Sequence, residues 1–162
     1  MARKTFRATI LLASSLFHSV CSAEDGTGNA AATTVPRAPV EAAMQIRIRA
    51  GDRILTARLE DSAATRDFVA LLPIELTLKD YASTEKIATL PRQLSTEGTP
   101  PGVDPTVGDI AYYAPWGNLA IYYRDFGYSR GLVRLGRIEA DAEALRSLEG
   151  PVTIENIDNQ RR

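Results

Sequence analysis

Imidazole and thiol are the side chains best suited to nucleophilic, acid–base and metal chemistry. This 162-residue chain has one of each, His18 and Cys21, three positions apart near its N-terminus. If that end is removed on maturation, Cys–His nucleophilic catalysis, Cys/His zinc sites, disulfides and a Ser–His–Asp triad are lost together. What remains is aromatic, guanidinium and carboxylate. Seven of the eleven aromatic residues, Tyr112, Tyr113, Trp116, Tyr122, Tyr123, Phe126 and Tyr128, fall within 17 positions. In a strand, neighbours face opposite sides, so only one Tyr of each adjacent pair points inward. The plain expectation is that half of this set is core and half covers the outer wall. The functional expectation is a pocket lip, with Trp116 on an exposed tip gripping an apolar or prolyl group. The candidate ligand-binding set is Arg92, Tyr112, Trp116, Asn118, Tyr123 and Tyr128, and none of these is assigned a catalytic role.

Arg92 enters that set because an Arg beside aromatics binds a carboxylate or polarises a carbonyl. Pro91 and the loop after it would present it rigidly next to a strand, whereas Arg130 and Arg134 read as solvated surface charge. The carboxylates Glu97, Asp104, Asp109 and Asp125 match no calcium-loop spacing and read as turn residues. Ser83, Ser95 and Ser129 have neither a His base nor a G-x-S-x-G elbow. A Walker loop and a G-x-G-x-x-G fingerprint are both missing, so the sequence implies no cofactor and no metal.

The elements that must position these residues are mostly short strands. Met44, Ile46, Ile48 and Ala50 alternate with polar residues, Gly51-Asp52 turns the chain, and Leu55, Ala57 and Leu59 alternate again, which predicts a β-hairpin. Asp61 or Ser62 caps a helix with Ala64, Phe68, Leu71 and Leu72 on one face, and Pro73 stops it. Strands are predicted at Ile74–Lys79 and Lys86–Leu90. Pro91 to Gly108, with four prolines and three glycines, is a long loop of the kind that is often functional. The aromatic-rich strands Ile110–Tyr113 and Leu119–Arg124 flank Pro115-Trp116-Gly117-Asn118. Leu132 to Ile138 makes a further strand with a bulge at Gly136. Asp141 caps a short helix to Leu148, Gly150-Pro151 breaks it, and Val152–Ile157 closes as a strand. About eight short strands and two short helices point to an all-β barrel rather than a parallel α/β sheet.

The N-terminus reads as a secretory leader. Arg3, Lys4 and Arg7 precede a mostly apolar run, Ala8 to Val20, and the small residues Cys21, Ser22 and Ala23 follow. The run is too short to span a bilayer, which needs about 20 apolar residues. Cleavage after Ala23 is preferred, and lipid attachment at Cys21 is the alternative that the residues before it fit less well. Cleavage removes three basic residues and no acid, moving the formal charge from −1 to −4, which leaves no basic footprint for nucleic acid. The expected organisation is a leader at 1–23, a small, polar tether at 24–42 and one domain at 43–158, periplasmic or secreted.

Several ordered blocks carry a family resemblance: IRIRAGDRILTARLEDSAATRDFVALLP, LTLKDY, EKIATLPRQLSTEG and GDIAYYAPWGNLAIYYRDFGYSRGLVRLGRI, followed by a terminal helix and strand. Together, from about Met44 to Ile157, they resemble the bacterial cyclophilin-like family. The resemblance implies a closed cyclophilin-like β-barrel of about eight strands with two helices, and carries no settled activity. True cyclophilins are prolyl isomerases whose site includes a Gln-Phe-Phe strand and histidines. Here aliphatics and Tyr122-Tyr123 replace that strand, Arg92 sits in a Pro91-Arg92-Gln93 context, and nothing after His18 supplies a His. The leading expectation is a non-catalytic module for a small-molecule or proline-containing peptide ligand. A weak prolyl isomerase or chaperone, with Arg92 as donor, is the second reading, and an accessory to a flavin or redox enzyme the third. An exposed aromatic lip would equally serve as a homodimer patch.

Overall fold

In a computed structural model, which describes residues 44–157, eight antiparallel strands close into a barrel. The predicted leader and tether lie outside the described residues. β1 (Gln45–Ala50) and β2 (Arg53–Leu59) form the opening hairpin, joined by a two-residue turn with Gly51 at φ +57°. Ile46, Ile48 and Ala57 are buried inside while Arg47 and Arg49 face outward, as the alternation requires. Helix α1 (Ala63–Val69) follows, with the Ser62 side chain accepting a hydrogen bond from the Thr65 amide at 3.0 Å. β3 (Ile74–Tyr81) and β4 (Glu85–Thr89) make a second hairpin.

The loop from Pro91 contains a two-residue strand, β5 (Gly102–Val103). It is followed by β6 (Asp109–Tyr113) and β7 (Asn118–Tyr122), which pair across the Trp116 turn. A second two-residue strand, β8 (Ser129–Arg130), pairs with β5 outside the barrel. β9 (Leu132–Ile138), helix α2 (Ala142–Arg146) and β10 (Gly150–Asn156) complete the chain. Around the barrel the order is β1, β10, β3, β4, β7, β6, β9, β2, and β2 returns to β1. Closure leaves these eight strands without a free edge. Gly150 and Pro151 open β10 instead of standing as a break before it. Proline fits there because it lies at the start of the strand.

The strand registers place the helices at opposite mouths. α1 lies between the end of β2 and the start of β3, where Ile74 pairs with Ile154, and it buries Ala64 and Phe68. α2 lies where Leu78 pairs with Gly150, and buries Leu145. The predicted bulge is at the β6–β9 step, where Ile110 faces Gly136 and Ala111 faces Arg134. Gly136 is needed there for space: a Cβ would sit 2.1 Å from the Arg58 carbonyl oxygen of β2.

The wall at β6, β7 and β9 is buried on both faces. Ile110, Tyr112, Leu119 and Ile121 belong to the main core, while Ala111, Ala120, Tyr122 and Leu132 form a second apolar cluster with Ile87, Val103 and Tyr113 packed on it. Asp109, 1% exposed, ties the covering loop down. It accepts the Thr106 amide at 2.9 Å and ion-pairs with Arg134 (3.0 Å) and Arg137 (3.1 Å). Asp125 accepts the Val107 amide at 2.8 Å. Asp109 and Asp125 thus organise turns, and Arg134 is part of that scaffold. Among the described residues no helix is long and apolar enough to cross a membrane.

Candidate functional site

β4 and β7 run side by side, with Glu85 opposite Tyr122 and Thr89 opposite Asn118. Their outward residues, Glu85 from β4 and Asn118, Ala120 and Tyr122 from β7, floor a cleft of about 290 Å³ on the outer wall. Trp116 from the β6–β7 turn, Tyr113 from β6, Tyr81 from the end of β3 and Phe126 from the loop after β7 add aromatic rings to its sides. The Trp116 ring stands nearly perpendicular to both Tyr81 (centroids 5.6 Å apart) and Tyr113 (5.3 Å). Such edge-to-face pairs hold an exposed indole in one orientation. A shallower depression on the other side of Trp116, about 540 Å³, is lined by Lys79, Thr77, Ile87 and Thr89.

The rim next to Tyr81 is built with strained backbone. The turn from Tyr81 to Thr84 carries the Thr84 amide to Tyr81 carbonyl bond at 3.1 Å, and its two central residues, Ala82 and Ser83, have φ of +50° and +51°. Both are non-glycine residues in the left-handed region, at a cost of roughly 1–2 kcal/mol each. The Asp80 carboxylate, accepting the Ser83 amide at 3.2 Å, helps hold them there. Positive φ at both central residues is what a tight hairpin turn of this kind demands, and here it is met without glycine or asparagine.

Two polar groups reach the cleft with hydrogen-bonding capacity to spare. Asn118 is 6% exposed, and its amide makes no side-chain hydrogen bond to any described residue. Glu85 is half-buried. Burial pushes its carboxyl up from the ordinary value, and the Tyr122 hydrogen bond pulls the other way. Burial, reinforced by Glu85, likewise raises the Tyr122 phenol. Four carboxylates among the described residues are withdrawn from full exposure: Asp67, Glu85, Asp109 and Glu155. Asp67 pairs with Arg92, Asp109 with Arg134 and Arg137, and Glu155 with Arg47. Glu85 is the one with no ion pair to a described residue.

Of the six sequence-selected residues, the structure brings Trp116 and Asn118 into this cleft. Tyr112 and Tyr123 turn into the barrel. Tyr112 accepts the Leu94 amide at 3.2 Å, and Tyr123 donates to Asp80 at 2.7 Å. Period two then puts the other member of each pair, Tyr113 and Tyr122, on the cleft. Tyr128 is exposed outside the cleft, and its ring crowds Gly102, whose absent Cβ would meet it at 2.9 Å. Arg92 is held at α1, donating to the Asp67 carbonyl at 3.0 Å and pairing with its carboxylate at 3.5 Å. The Ser95 amide, then Arg92, hold the Asp67 carboxyl below its ordinary value. Tyr81 and Glu85 escaped the sequence reading. Glu85 sits at the edge of β4, and its meeting with Tyr122 depends on pairing of strands that are not consecutive.

No curated protein matches the chain. Among solved structures, the solution structure of a hypothetical protein from Archaeoglobus fulgidus is similar at 20% identity, covering 70% of this chain and 94% of that one, with a TM-score of 0.49. The model of the cyclophilin-like family matches residues 48–155, which take in nearly every barrel strand and both helices. The chain therefore belongs to the cyclophilin-like family.

Proposed function

We propose that this barrel is a non-catalytic binding module whose ligand, a small molecule or a peptide side chain, sits in the cleft on the β4–β7 wall. The observation that carries the reading is the cleft itself: a concave site with aromatic rings on its sides and two polar groups, Glu85, which has no ion pair to a described residue, and Asn118, whose amide has no side-chain partner among them. Binding sites typically combine an apolar lining with a few placed polar groups in this way. A volume of about 290 Å³ suits one compact group, not a whole cofactor. The prolyl isomerase alternative would need Arg92 as a donor beside the rings, and Arg92 is committed to Asp67. The leader proposed for residues 1–23 would deliver the module to the periplasm or the outside, and mass spectrometry of the mature N-terminus tests cleavage after Ala23 against a lipid on Cys21.

The test is a thermal-shift screen of the full chain with a fragment set that includes Xaa-Pro dipeptides, repeated on Trp116→Ala. A binder raises Tm by mass action. Trp116 is 56% exposed, so Trp116→Ala is expected to keep its own Tm within a few degrees and to lose the ligand-induced shift. Shifts that persist in Trp116→Ala, or a set with no binder, would overturn the reading.

A further inference from the structure

We infer that the occupant of this cleft is a small organic ammonium cation, seated among the rings of Tyr81, Tyr113, Trp116 and Tyr122 with Glu85 as its counter-charge and Asn118 as a hydrogen-bonding partner. The inference rests on the binding reading above and supplies its ligand chemistry.

The first support is the charge bookkeeping of the fold. The half-buried or buried carboxylates Asp67, Asp109 and Glu155 each face an arginine, at 3.5, 3.0 and 3.8 Å respectively. Glu85 is half-buried like Asp67 and Glu155, yet has no ion pair to a described residue. The Tyr122 hydroxyl is a neutral partner, and a carboxylate kept partly dry without a counter-charge costs free energy that an incoming cation recovers. Its neighbours cannot serve. Lys86, the next residue, points to the opposite face of β4 and is taken by Asp80 at 3.0 Å and Glu149 at 3.7 Å. Lys79 lies in the depression beyond Trp116 and does not line the cleft.

The second support is the ring arrangement. Aromatic faces carry negative quadrupole density, and a cation within about 6 Å of a ring centroid is attracted by it. Two tyrosines perpendicular to one indole, at 86° and 84°, make corners instead of a flat stack. Such corners, with Tyr122 on the floor, can surround a compact onium group, whereas a flat ligand would want parallel rings. The strained turn at Ala82-Ser83 holds Tyr81 and Glu85 at this position. The third support is Asn118, nine-tenths buried and lining the cleft, whose amide has an acceptor oxygen to offer an N–H or O–H.

Trp116 is the chain's one tryptophan, so its fluorescence reads the cleft directly. The experiment titrates the full chain with choline, with butylammonium, and with 3,3-dimethylbutanol, the uncharged isostere of choline. Saturable change with either cation and at least about tenfold weaker response to the neutral alcohol is expected. Glu85→Gln should weaken cation binding by about tenfold and leave the alcohol unaffected. Tyr81→Ala, on an exposed side chain, gives a second variant with the same expected loss. Equal binding of choline and its isostere, or cation binding unchanged in both variants, would overturn the cation inference and leave the binding reading standing. Fragment hits in the thermal-shift screen with no cation response would do the same. Failure of the whole fragment set as well as the cations would remove both.

Discussion

Two sides of one pair of strands carry opposite solutions to the same chemistry. Lys86 and Tyr123 face the barrel interior, and Glu85 and Tyr122, one residue away on each strand, face outward. Inside, every polar group is partnered. Tyr123 donates to Asp80 at 2.7 Å, Lys86 pairs with Asp80 and Glu149, and the cations of Lys86 and Arg146 lie 5.6 and 5.3 Å from the Tyr123 ring centroid. Outside, the Glu85 carboxyl has the Tyr122 hydroxyl but no cation, the Asn118 amide has no side-chain partner among the described residues, and the rings line a cleft. The interior cluster is complete and serves the fold, where α2 meets the barrel mouth. The exterior one is incomplete, and incompleteness is what gives a ligand something to gain.

Breaking the interior side should have the largest effect. Lys86→Ala removes a fully buried four-carbon stem and leaves a cavity, and is expected to cost about 3 kcal/mol in chemical denaturation. Tyr123→Phe deletes one hydrogen bond to a carboxylate that solvent partly reaches, for a loss of about 1 kcal/mol. Ala82→Gly works in the other direction, relieving left-handed strain at the rim. A gain of about 0.5–1 kcal/mol should appear as a higher denaturation midpoint.

The smallest change is at Glu85 and is sharpest as a function of pH. Its folded carboxyl is raised above the ordinary 4.5 mainly by burial, so the native state holds the proton more tightly than the unfolded state. Stability should therefore fall as pH rises from about that value through the raised one, and Glu85→Gln should flatten this part of the profile. The Asp80 carboxyl is held below its ordinary 3.8, first by the Tyr123 hydroxyl and then by Lys86. Its contribution is present above that value and is lost as pH falls through the lowered one, so Asp80→Asn should blunt the acid limb alone. If the two variants alter the same limb, the inside–outside distinction fails.

Much of this was legible beforehand. The hairpin of β1 and β2, the Ser62 and Asp141 caps, the strands on either side of Trp116 and the bulge near Gly136 all follow from local alternation, capping and turn chemistry. The parity of the two tyrosine pairs was not. Ile110 and Tyr112 alternate with Ala111 and Tyr113, and both sets are apolar because the loop from Pro91 covers the outer face. Alternation shows the core side only when the other side is wet. Arg92 was misleading for a related reason: its partner, Asp67, lies on a helix 25 residues earlier.

By itself, then, the amino-acid sequence determined the strands, their caps and turns, the aromatic concentration between 112 and 128, and the family, because these depend on backbone geometry over a few neighbouring residues. Tertiary structure alone decided that β4 lies against β7, that Glu85 meets Tyr122, and that Trp116 and Tyr81 stand over them. Those meetings arise from barrel closure, in which strands far apart in the chain pair to remove their free edges. A single residue of register decides whether a side chain completes the core or opens to a ligand.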